Sequence, residues 1–117
     1  MGRLTTHVLD TSLGKPAAGL ALRLYRLNGS AREALKDAVT NNDGRVDGPI
    51  LEGDGFSVGT YELEFDAGAY FDALGIDLPE QKFLDVVVLR FGISAVDEHY
   101  HVPLLLSPFG YSTYRGS

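Results

Sequence analysis

From Gly59 to Asp66 the chain alternates without a break: Tyr61, Leu63 and Phe65 on one side, Glu62 and Glu64 on the other. A two-residue period belongs to a β-strand with one face buried and one in water. The same alternation runs through Leu4 to Asp10, where Leu4, Thr6 and Val8 oppose Thr5, His7 and Leu9, and through Leu20 to Leu27. Fourteen glycines and five prolines in 117 residues cut the chain into short pieces, most rich in Val, Leu, Tyr, Phe and Thr. Each piece has a single apolar face to cover, and two packed sheets cover them all. The expected fold is therefore all-β: a two-sheet sandwich of seven to eight strands.

Further strands are expected over Glu33 to Thr40, Phe83 to Phe91, His99 to Ser107 and Phe109 to Thr113. Asn28-Gly29 and Asn41-Asn42-Asp43-Gly44 are turns, since Asn, Asp and Gly tolerate positive φ. One segment breaks the period. In Ala67 to Gly75, Tyr70, Phe71 and Leu74 fall at helical spacing, and Gly75 is placed to end a helix of about two turns. Pro103 inside an apolar strand must occupy an edge, or a position whose N–H the ladder does not need.

The length suits a single domain spanning 1–117, and 44% hydrophobic with 22% charged residues is a globular composition. The net charge is −6 and the ten Lys and Arg are scattered. No basic stripe faces phosphates, so neither nucleic acid nor an anionic membrane is expected as a partner. The longest apolar runs are far too short to span a bilayer. No apolar leader segment follows Met1, so a cytoplasmic location is expected. With no cysteine, disulfides, thiolate metal sites and a Cys nucleophile are excluded.

The polar candidates are His7, His99, His101, Arg45 and the hydroxyls near Ser117. Taken singly they are weak: a lone strand histidine is usually structural, and an arginine after a turn is usually solvated. His99 and His101 share a face, and an H-x-H pair can chelate zinc. A catalytic zinc needs a third protein ligand, and none is obviously placed to supply it. No metal or other cofactor is expected, and His99 reads as a solvated strand end beside Asp97 and Glu98.

The string Tyr100-His101-Val102-Pro103-Leu104-Leu105-Leu106-Ser107-Pro108-Phe109-Gly110-Tyr111-Ser112-Thr113-Tyr114-Arg115-Gly116-Ser117 resembles the C-terminal motif of the 5-hydroxyisourate hydrolases, within the transthyretin-like proteins. Thr6-His7-Val8-Leu9-Asp10 with Gly14-Lys15-Pro16-Ala17 is similar to the family's N-terminal motif. Asn42-Asp43-Gly44-Arg45 and Phe65-Asp66-Ala67-Gly68-Ala69-Tyr70-Phe71 are similar to its middle. The resemblance covers essentially the whole chain, in order.

It implies a transthyretin-like sandwich, a homotetramer built as a dimer of dimers, and sites in a channel between dimers. It also implies hydrolysis of 5-hydroxyisourate to 2-oxo-4-hydroxy-4-carboxy-5-ureidoimidazoline in urate degradation. The related hormone carrier has Lys, Glu, Thr and Thr where this chain has His7, Arg45, His101 and Tyr114, so a non-catalytic carrier is the alternative that these positions disfavour. The implied catalytic residues are His7, Arg45 and His101, with His7, Arg45, Tyr114 and Ser117 binding substrate. A histidine titrating near neutrality serves as base or acid. Either His7 or His101 can take the water proton; the preferred assignment is His7 as base with His101 orienting or donating. Arg45 offers a fork of donors to a developing oxyanion.

Overall fold

The computed structural model describes residues 2–116. The alternating segments form the strands β1 (Arg3–Asp10), β3 (Ala21–Asn28), β4 (Ala31–Val39), β6 (Gly59–Asp66), β7 (Val86–Ile93), β8 (His99–Ser107) and β9 (Gly110–Thr113). Two further strands, β2 (Lys15–Pro16) and β5 (Leu51–Glu52), are two residues each and too short to carry a period. One sheet has the order β2-β1-β8-β9, with β5 also pairing β1; the other has the order β4-β3-β6-β7. The expected sandwich stands.

The inward faces supply one core. Leu4, Val8, Leu104 and Leu106 from the first sheet meet Leu22, Leu24, Tyr61, Leu63 and Phe65 from the second, each 1% exposed or less. The outer faces differ. On the second sheet, Arg23 pairs with Glu64 and Asp66, Arg32 with Glu62 and Glu64, and Arg90 with Glu62, a charged surface adapted to water. On the first, the central pair β1 and β8 runs parallel in the register Arg3↔His99 to Asp10↔Leu106. That register sets Arg3, Thr5 and His7 beside His99, His101 and Pro103 on one outward face.

The helix α1 (Ala67–Ala73) follows β6 directly. It ends as expected: Gly75 has φ 75°, its N–H donates to the Asp72 carbonyl, and Ile76 N–H donates back to Phe71. Its Tyr70 hydroxyl donates at 2.8 Å to Asp10, a carboxylate wholly removed from water at the end of β1. Removing only that hydroxyl leaves a buried charge short of a donor. Tyr70→Phe is expected to destabilise the fold by about 1.5–3 kcal/mol, seen in urea denaturation as a lower midpoint with an unchanged slope.

Several strand boundaries differ from expectation, two of them for a visible reason. β7 begins at Val86 rather than Phe83, because Asp85 turns its carbonyl to Gly68 N–H at the start of α1 and Phe83 stays 72% exposed. β9 begins at Gly110, since Pro108 and Phe109 form the turn. Pro103 is not on an edge: β8 lies between β1 and β9. The second option holds. β8 and β9 pair in register from Ser107↔Gly110 to Leu104↔Thr113, and the same register returns at the isolated bridge His101↔Gly116. Between them the ladder lapses opposite Pro103, which has no N–H to give.

Candidate active site

Arg45 reaches the first sheet by a turn built for the purpose. Asn41 accepts backbone N–H bonds from Asp43 and Arg45 on its side-chain oxygen, and its own N–H donates to the Arg45 carbonyl. Gly44, at φ 73°, completes the reversal and lies so close to β1 that an added Cβ would strike the Val8 carbonyl. Val8 N–H donates to the Gly44 carbonyl at 2.8 Å, and Arg45 bridges His7. A side chain at position 44 would therefore push the turn, and Arg45 with it, off the sheet.

A hollow on the outward face is lined by Arg3, Thr5, Arg45, Pro49, His99 and His101 among others. His7 flanks it, one step along β1 from Thr5 on the same face. Among the described residues the Arg45 guanidinium has no carboxylate partner, so its donors are available to a ligand. Both flanking histidines are shifted below the ordinary value. His7 is lowered by burial and then by Arg45, against an opposing backbone contact from Asp43. His101 is lowered by burial, then by the charges of Arg45, His99 and His7. Each is therefore neutral at physiological pH, with a ring nitrogen able to accept a proton.

The continuous register places Tyr114 opposite Pro103, and so in the row that His7 begins. Tyr114 is 62% exposed and also borders an apolar cleft at the open edge between β7 and β9. Arg115 turns the other way: its guanidinium stacks 4.0 Å over the Tyr100 ring and bonds Glu98 at 2.9 Å. Gly116 comes back over the site, its N–H donating to the His101 carbonyl at 2.7 Å. A Cβ there would lie 2.7 Å from the His101 ring, so only glycine passes without moving the imidazole. Ser117 lies outside the described residues.

Two residues that sequence reasoning set aside belong to this cluster. His99 is not a solvated strand end: it is half-buried, and its Nε2 lies 2.7 Å from the Thr5 hydroxyl. The same hydroxyl lies 2.8 Å from His101 Nδ1. Thr5 carried no signal as one of two adjacent threonines in β1. The parallel pairing of β1 with β8, invisible to periodicity, creates the contact. Among the described residues no group of three His, Cys, Asp or Glu stands close enough to hold a metal ion.

The fold and the site together define a small two-sheet β protein whose first sheet gathers histidines and, among the described residues, an arginine without a carboxylate partner. The chain belongs to the HIUase/transthyretin family, whose model matches residues 4–116. It is 66% identical over 116 residues to 5-hydroxyisourate hydrolase 2 of Rhizobium meliloti, covering 99% of this chain and 97% of that one. Among solved structures it matches the 5-hydroxyisourate hydrolase of Klebsiella pneumoniae with a TM-score of 0.83 and 36% identity, each chain covered in full. It also matches sea bream transthyretin in complex with thyroxine, with a TM-score of 0.87 and 29% identity, over 97% of this chain and 94% of that one.

Proposed function

We propose that the chain hydrolyses 5-hydroxyisourate to 2-oxo-4-hydroxy-4-carboxy-5-ureidoimidazoline, a step of urate degradation, as a single domain. The observation that carries this reading is the meeting of His7, Arg45 and His101 on one outward face of the first sheet. A ring-opening hydrolysis needs a proton taken from water, an oxyanion stabilised and a proton given to the leaving nitrogen. Two neutral imidazoles supply the first and last, and the Arg45 guanidinium supplies the second. Tyr114 and Ser117 then help to hold the ring. The carrier reading gains nothing from this arrangement, since a ligand that is only bound needs no proton acceptors.

The strand edges support assembly into a homotetramer. On one flank the edges are guarded: β4 shows Arg32, Glu33, Lys36 and Asp37, and β2 is two residues with a proline. On the other, β7 exposes Val86 and Val88 and β9 exposes Tyr111, with Phe83 and Phe109 beside them. Those open edges suit a second copy, and the histidine face suits a second dimer. Sedimentation of the purified protein at the mass of one chain would sink that part. A cytoplasmic location belongs to the same proposal, and cell fractionation tests it.

The activity is tested by generating 5-hydroxyisourate in place from urate and a urate oxidase, then following its absorbance decay against the spontaneous rate. Decay no faster than background with folded protein would favour the carrier. The acid limb of the rate profile is also set. A base must be unprotonated, and both histidines lie below the usual value of 6.5. The fall in kcat/KM on acidification, which reports the free enzyme, is expected to have its midpoint below 6.5. A midpoint above it would mean that a different group is the base.

A further inference from the structure

The Thr5 hydroxyl stands between two imidazoles, 2.7 Å from His99 Nε2 and 2.8 Å from His101 Nδ1. A hydroxyl has one proton to give. Between two neutral rings it donates to one nitrogen and accepts N–H from the other, so only two arrangements satisfy both contacts. In the first, Thr5 donates to His99 Nε2 and His101 donates from Nδ1, leaving His101 Nε2 bare. In the second, His99 donates from Nε2, Thr5 donates to His101 Nδ1, and the His101 proton sits on Nε2. Among the described residues His101 Nε2 has no hydrogen-bond partner, and His101 lines the hollow.

We propose that Thr5 and His99 form a proton relay with His101, switching it between base and acid during the reaction. This rests on the hydrolase reading above, and it moves the base role from His7 to His101. At rest the first arrangement leaves Nε2 of His101 ready. That nitrogen takes a proton from water as the water oxygen bonds the ring carbonyl carbon. His101 then passes its Nδ1 proton to the Thr5 oxygen while Thr5 passes its own to His99 Nε2. The positive charge now rests on His99. As the C–N bond breaks, the relay runs back: His99 returns a proton to Thr5, Thr5 returns one to His101 Nδ1, and His101 gives its Nε2 proton to the leaving nitrogen. His99 is then neutral and the first arrangement is restored. The water has been divided between carbonyl carbon and nitrogen, with no proton left over.

Burial, and then the charges of Arg45, His99 and His7, all act to expel a proton from His101. His99 lies on the same face, opposite Arg3 on β1 and next to Glu98 in the chain. The rings are held for transfer, their centroids 6.2 Å apart, with Thr5 between them and Gly116 packed on His101. Thr5 and His99 are thus positioning residues that act through His101.

The test compares Thr5→Val, Thr5→Ser, His99→Gln and the Thr5→Val/His99→Gln double variant with the wild type. Thr5→Val keeps the shape and removes the hydroxyl; kcat is expected to fall about 10²-fold, with KM little changed. Thr5→Ser restores most of the rate, which also shows that the valine loss is not one of folding. The double variant is expected to be no slower than Thr5→Val, because one relay is broken once. Nitrogen-15 NMR of resting wild type should show His101 protonated on Nδ1, and Thr5→Val should lose that preference. Wild-type kcat in Thr5→Val, multiplying effects in the double variant, or a resting proton on His101 Nε2 would each overturn the relay. The NMR result needs no turnover, so failure of the relay is separable from failure of the hydrolase assignment, which would show as an inactive wild type.

Discussion

Arg45→Ala is expected to lower kcat for 5-hydroxyisourate by about 10²–10³-fold, the usual loss when one donor to a developing oxyanion is removed, or about 2.7–4 kcal/mol of barrier. Its geometry makes the test clean. Arg45 is exposed, makes no ion pair among the described residues, and holds its place through backbone bonds to Asn41 rather than through its side chain. Truncating it should leave stability within about 0.5 kcal/mol of the wild type. Slow turnover in a protein that melts normally therefore reports on chemistry. A rise in KM at constant kcat would instead mean that Arg45 only binds the ring. Arg45→Lys keeps the charge but not the planar fork, and should recover only part of the rate. Full activity in the alanine variant would remove Arg45 from the site.

His101→Asn is expected to cost about 10²–10⁴-fold, the range for loss of a positioned acid or base. Asparagine can still bond the Thr5 hydroxyl through its amide, so the local packing survives while proton exchange does not. The comparison with His7→Asn decides how the two histidines divide the work. If His101 alone cycles between base and acid, its loss is the greater and adding His7→Asn changes little, since residues acting as a unit do not contribute additively. Equal and multiplying losses would mean that each histidine carries a separate proton transfer. Rapid turnover by His101→Asn would exclude His101 as either acid or base.

The sandwich was legible because every long strand except β4 buries one face, so Tyr61-Leu63-Phe65 or Leu4-Thr6-Val8 announces its period directly. β4, exposed along almost its whole length, was found instead from the turns at Asn28-Gly29 and Asn41 to Gly44 that bound it. The helix was legible from Tyr70, Phe71 and the Gly75 stop. His7, Arg45 and His101 could be named only through motif resemblance. Nothing in periodicity says that an arginine after one turn meets a histidine 38 positions earlier; that meeting depends on Gly44 approaching Val8 without a side chain. Thr5 and His99 were missed because their link spans 94 positions and exists only once β1 lies parallel to β8. Local pattern records which face a residue takes, and not which distant strand lies beside it.

The parallel pairing of β1 with β8 also bears on the order in which the molecule comes together. The second sheet is knitted from near neighbours: β3 meets β4 across a tight reversal, and β6 to β7 is a short excursion through α1. The first sheet has to join residues 3–10 to residues 99–106 before its centre exists. Closing so long a loop is slow, since the entropy is lost before the contacts repay it. The histidine face belongs to that late seam. A refolding chain can therefore have much of its β-structure in place and still lack the pairing that brings Thr5, His99 and His101 together, so that the histidine face is among the last features the fold acquires and, when the seam opens, among the first it gives up.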